Sequence, residues 1–206
     1  MIRSLLVLVP VLMGNSLWGA SIFFSTDGTA SPAYTPGLFW MASSSVGGPV
    51  VNVEMQFKSA LTGTVSSIVA PLSGNIADVT FELRSDAAGM AGLILGMFTF
   101  HNVTGTPQLL TAMSNSPVQL NGGTLYWLEA LAPVPGLTTQ NVDWYYASPA
   151  FNGTVEVENP VPAVLTNQSL AAFAVNGTVP EPATLCATGL ALVLLSMAYR
   201  HRIRGR

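Results

Sequence analysis

Apolar and polar residues alternate with a period of two through much of the middle of this chain. Val51, Val53, Met55 and Phe57 alternate with Asn52, Glu54, Gln56 and Lys58, and Val79, Phe81 and Leu83 alternate with Asp78, Thr80, Glu82 and Arg84. A strand sends successive side chains to opposite faces, so each segment predicts a strand with one buried face and one wet face. Further short strands are predicted over 64–70, 93–100, 124–131, 142–146, 154–157 and 170–175. Pro71, the 85–89 and 121–123 stretches and the 133–136 stretch punctuate them as turns. No segment between 21 and 177 carries a helical period. About eight or nine short strands without long helices predict an all-β domain, a β-sandwich of jelly-roll-like type over residues 21–177.

Both ends depart from alternation and become continuously apolar. Residues 1–20 place Arg3 before an apolar stretch at 5–13 and a stretch from Gly14 to Ser21 that ends in small residues, the order of a secretory signal peptide with cleavage near residue 20. The second run, 185–199, holds no charge and is followed by Arg200, Arg202, Arg204 and Arg206. At about 1.5 Å per residue it reaches roughly 22 Å, short of a hydrocarbon core of about 30 Å. Flanking residues and a snorkelling Arg200 extend it to a single transmembrane helix with its basic end in the cytoplasm. An exported body is therefore expected, anchored in the inner membrane as a precursor and facing the periplasm.

Immediately before that run stands Val179-Pro180-Glu181-Pro182. Pro180 and Pro182 keep the peptide extended, since each restricts the residue before it and neither donates a helix hydrogen bond. Pro-Glu-Pro, a short apolar helix and an arginine-rich end together resemble the PEP-CTERM sorting signal of Gram-negative bacteria over 178–206. The resemblance implies recognition by an exosortase, a membrane-embedded cysteine transpeptidase, in cells that make exopolysaccharide. It also implies a final place at the cell surface or in the extracellular matrix. An ordinary tail anchor that is never cut is the alternative.

Charge sharpens this picture. Charged residues make up only 8% of the 206 residues and hydrophobic ones 50%, which excludes disorder driven by high net charge. Between the two ends lie only two basic residues, Lys58 and Arg84, against nine acidic ones from Asp27 to Glu158. An acidic body is a poor partner for nucleic acid, whose phosphates are held by clustered Lys and Arg. Cys186, the only cysteine, lies inside the apolar run, so no disulfide is available to the body and a small apolar role is expected of it.

Three pieces of the body resemble the choice-of-anchor R domain, a module found upstream of varied anchoring signals. They are Arg84-Ser85-Asp86-Ala87-Ala88-Gly89, the pair Ser116-Pro117-Val118-Gln119-Leu120 and Gly123-Thr124-Leu125-Tyr126-Trp127-Leu128, and Ala171-Ala172-Phe173-Ala174-Val175. Met90-Ala91-Gly92 lacks the proline that the pattern carries before that glycine. The resemblance implies export and a β-fold, with no established enzymatic activity attached.

Signatures of catalysis are absent from the sequence. It has no nucleophile elbow, no His-Glu-x-x-His and no phosphate loop, and His101 is the only histidine outside the basic tail. No catalytic residue, metal site or cofactor is predicted. Two-carboxylate glycosidase chemistry needs no motif. Asp78 and Glu82, however, lie about 13 Å apart along a strand, while Glu156 and Glu158, about 7 Å apart, read as a solvated strand face. Loop carboxylates Asp86 and Asp143 lack the spacing of a calcium loop. The main expectation is a non-enzymatic, exopolysaccharide-associated protein. The alternative is a carbohydrate-binding module that stacks sugar rings on Tyr126 or Tyr145, which alternation sets on the opposite face from Trp127 and from Trp144 and Tyr146. Its partners would be the exosortase-type enzyme, the inner membrane and a polysaccharide.

Overall fold

A computed structural model describes residues 20–45, 48–132, 139–159 and 161–180. Residues 1–19 of the expected signal peptide, Glu181, Pro182, the 185–199 run and the terminal arginines lie outside the described residues. Residues 20–179 form one unit. Its described residues form strands and no helix: β1 Ser21–Ser25, β2 Tyr34–Ser44, β3 Val50–Lys58, β4 Gly63–Gly74, β5 Asp78–Asp86, β6 Ala91–His101, β7 Gln108–Leu120, β8 Leu125–Ala130, β9 Gln140–Ala147, β10 Asn152–Asn159, β11 Val161–Ser169 and β12 Ala174–Thr178. No helix among the described residues is long and apolar enough to cross a membrane.

All pairings are antiparallel. In one layer β4 is central, with β7 on one side and, on the other, β12 followed by β1 along its first part and β9 followed by β2 at its end. The second layer runs β11-β10-β3-β8-β5-β6. The layers join at a corner where Ser43 and Ser44 of β2 pair with Val51 and Val50 of β3. On another side, Gly96 of β6 lies so close to β7 that a side chain there would strike Val118. The sheet thus folds over on itself into a β-sandwich, as the alternation predicts.

Aromatic rings fill the space between the layers. Phe81 of the second layer lies 4.7 Å from Trp144 of the first and 4.9 Å from Phe100, and Trp144 lies 5.5 Å from Phe173. All four are buried, and tilted or edge contacts at these separations add to the area term. The Trp144 indole donates to the Ala172 carbonyl at 2.9 Å, so its one polar atom is paired.

Where structure and sequence differ, the reason is local. The strand expected over 170–175 begins only at Ala174. Residues 170–173 pass from the second layer to the first: the Leu170 amide donates to Phe151, next to β10, and the Ala172 amide to Tyr145 of β9. A segment that changes layers cannot keep one ladder. Strands β1, β2, β7 and β11 were not predicted, because glycine, proline and small polar residues dilute their alternation. β11 carries Pro162, β2 carries Pro36 and Gly37, and β7 carries Pro117; edge or irregular pairing tolerates all of these. The Tyr34–Phe39 interval of β2 is an irregularity of this kind.

Candidate functional site

The second layer has an unusual outer face. Register brings Glu156 of β10 opposite Glu54 of β3, Glu54 opposite Glu129 of β8, and Glu129 opposite Glu82 of β5. The four carboxylates form a row across the sheet. Glu158, two residues beyond Glu156, shares that face by the period of the strand. Every glutamate of the chain except Glu181 is therefore on this face. Alternation predicts a wet face here, and for Glu156 and Glu158 a solvated one, yet Glu54 and Glu129 are 1% exposed and Glu156 3%. The sheet curls and the β5–β6 turn folds back over it. Ala91 donates its amide to Glu156 at 2.9 Å, and Arg84 donates through Nε to the Gly92 carbonyl at 3.0 Å.

Among the described residues, Arg84 is the one cation paired with these acids. Its guanidinium meets Glu129 at 2.5 Å, Glu82 at 3.8 Å and Glu54 at 3.9 Å. Burial, together with the neighbouring charges of Glu129 and Glu156, pushes the Glu54 carboxyl up to about 8, and the attraction of Arg84 does not offset this. Burial raises Glu129 as well, against the pull of Arg84. Glu54 Oε2 has no hydrogen-bond partner among the described residues. Glu54, Glu129 and Glu158 each offer an oxygen within 4.8 Å of the others. Glu158, half-buried, also accepts from Asn52 at 3.2 Å. Such an arrangement can bind protons or a small cation. A sugar ring cannot reach carboxylates this deeply covered.

Asp86 has a structural task on the same face. It accepts from the Trp127 indole at 2.8 Å, Gln56 at 2.9 Å and the Gly89 amide at 3.1 Å. Burial acts to raise its carboxyl, but these hydrogen bonds outweigh it and hold Asp86 below the ordinary range. Asp143 accepts from Ser73 and Asn141 on the outer face of the first layer. His101 pairs with Asp78 at 2.9 Å, with both side chains largely exposed.

The two tyrosines expected as stacking platforms are buried instead, each 5% exposed. Tyr126 packs its ring 5.9 Å from Phe57, and its hydroxyl accepts from the Asn121 amide. Tyr145 lies beneath Tyr34 and Phe39, with centroids at 5.7 and 5.6 Å, and its hydroxyl shares a 2.7 Å hydrogen bond with Ser73. In each case a ring at a buried strand position satisfies its hydroxyl locally, and neither presents a free face. Phe39, 39% exposed, stands outermost in the second cluster.

Of the residues expected in the sorting signal, Val179 is half-buried against the core and Pro180 is exposed. The chain reaches them from β12, which is paired to β1 and β4.

No protein-family model and no curated protein matches this chain. Among solved structures it is similar to CsCBM6-3 from Clostridium stercorarium in complex with cellobiose, at 15% identity and a TM-score of 0.31, over 56% of this chain and 90% of that chain. The sandwich assignment rests on strand pairing alone.

Proposed function

We propose that the chain is an exported, non-enzymatic surface or exopolysaccharide-associated protein, sent across the inner membrane by residues 1–20 and held there by 185–199 with Arg200, Arg202, Arg204 and Arg206. An exosortase-type enzyme acts at Val179-Pro180-Glu181-Pro182. The observation that carries this reading is where the folded body stops: β12 ends at Thr178, Val179 still packs on the core, and Pro180 is exposed. A cut beyond Thr178 breaks no strand pairing of the sandwich. Replacing Glu181 by Ala leaves the apolar run and basic end intact, so insertion should persist while removal of the tail is blocked. Blots of the host should show a larger membrane-bound precursor for the mutant and a shorter product for the parent. Equal sizes, both in the inner membrane, would make the 185–199 segment a permanent anchor.

The carbohydrate-binding reading keeps one supporting observation, at a different place from the one expected. On the outer face of the first layer, exposed Phe39 and half-buried Tyr34 lie over Tyr145, on the face that also carries half-buried Asp143 and Asn141. An exposed ring flanked by hydrogen-bonding groups suits a sugar. Phe39→Ala should abolish retardation of the full chain in gels containing the host polysaccharide. Unchanged retardation, or none for the parent, removes this reading.

A further inference from the structure

We propose that Glu54, Glu129 and Glu158 form a binding site for a divalent cation of the oxygen-preferring class, and that the cation is calcium. Three facts lead there. The three residues each offer one carboxylate oxygen within 4.8 Å of the others, close enough for one cation to draw them into a shared coordination sphere with oxygens at about 2.3–2.6 Å. Calcium accepts irregular sets of carboxylate oxygens, whereas magnesium, with oxygens at about 2.0–2.1 Å, demands a strict octahedron. Zinc and copper favour His and Cys, and no such residue belongs to the cluster.

The second fact is an unmet bond. Glu54 is 1% exposed and its Oε2 has no partner among the described residues. A buried carboxylate oxygen normally finds a donor or a metal, because leaving it bare costs its full desolvation. The other acids are at least partly engaged: Arg84 holds Glu129 Oε2, Asn52 holds Glu158 Oε2, and the Ala91 amide holds Glu156 Oε2.

The third is charge. Glu54, Glu82, Glu129, Glu156 and Glu158 crowd one face, and among the described residues Arg84 is the only basic side chain bonded to them. A divalent ion supplies the missing positive charge, and Glu158 and Asn52 at the edge of the cluster are half-buried rather than sealed.

The test uses the full chain, purified in detergent, stripped with a chelator and titrated with terbium and then calcium. Trp127 lies two residues from Glu129 on the same strand face, within about 7 Å, and should sensitise terbium emission. Calcium should quench that emission by displacement and raise the thermal midpoint, while magnesium at equal concentration should do much less. Glu158→Gln, at a half-buried position where folding is not at stake, should weaken calcium binding at least tenfold. Glu54→Gln should do the same, because a neutral amide cannot replace the carboxylate as a charged ligand, and it should raise the midpoint in chelator at alkaline pH, where the bare carboxylate is charged. The proposal is overturned if terbium gives no emission that calcium displaces, or if the Glu158→Gln titration superimposes on that of the parent.

Discussion

The charge on the glutamate row should make the fold lose stability as pH rises, the reverse of the usual behaviour of paired carboxylates. Glu54 titrates near 4.5 in the unfolded chain and at about 8 in the folded one. Between those values the folded protein keeps a proton that the unfolded chain has released, so unfolding gains on folding with each pH unit. The contribution is fully present below 4.5 and lost as pH climbs through about 8. At about 1.4 kcal/mol per pH unit, the whole interval is worth on the order of 5 kcal/mol. That is a large share of the roughly 5–15 kcal/mol that holds a domain together. Glu129 is shifted in the same direction. Asp27 and Asp86 are shifted the other way, and the stability they lend is lost only as pH falls below their ordinary value of 3.8. They therefore leave the window clean. Urea unfolding of the full chain in chelator, across buffers spanning the window, should show a midpoint that declines with pH. Glu54→Gln keeps the shape without the titrating proton and should flatten the decline, ending several kcal/mol more stable than the parent at the alkaline end. A parent midpoint that rises with pH, or a Gln variant that runs parallel to the parent, would refute the argument.

Two further outcomes follow from packing. At Gly177 a Cβ would be driven into the Thr64 carbonyl and the Phe23 ring, so Gly177→Ala should cost about 1–3 kcal/mol in chemical denaturation by prising β12 from β4. Tyr145→Phe breaks the buried 2.7 Å bond to Ser73 and should lower stability by about 1–2 kcal/mol. It should leave polysaccharide retardation unchanged, because the hydroxyl points into the protein and not at solvent.

How much of this was legible in the sequence depends on whether the signal was local. Strands β3 and β5 were readable because Val53, Met55 and Phe57, and Val79, Phe81 and Leu83, alternate without interruption. β7 and β11 were not, since Ser114, Asn115, Ser116 and Pro117 in one and Pro162, Thr166 and Asn167 in the other carry no period. The glutamates were visible one at a time, as polar positions in alternating strands, and were read as wet. Only the register of four strands sets them side by side, and register is a long-range property that one sequence does not display. One hint was available: Glu129 sits in 125–130, the most uniformly apolar of the strands, where a charge is out of place unless its face has a use. The tyrosines show the converse. Alternation assigned Tyr126 and Tyr145 to the faces opposite their tryptophan neighbours, but it could not say that Phe57 would cover one, or Tyr34 and Phe39 the other.

Stability alone does not account for the row. Replacing buried ionic groups by apolar ones of similar size is often neutral or stabilising, and this sandwich already has a continuous aromatic core from Phe81 through Trp144 to Phe173. Arg84 can neutralise only one acid at a time, and its closest contact is with Glu129. Glu54, at the centre of the row, is left to take up either a proton or an outside cation. Those two occupants compete for the same oxygen, because a metal ligand must be deprotonated. A body whose central carboxylate is neutral in acid and charged in alkali gains most from a cation under alkaline conditions. The same geometry that weakens the empty fold at high pH is what would make it hold a metal there.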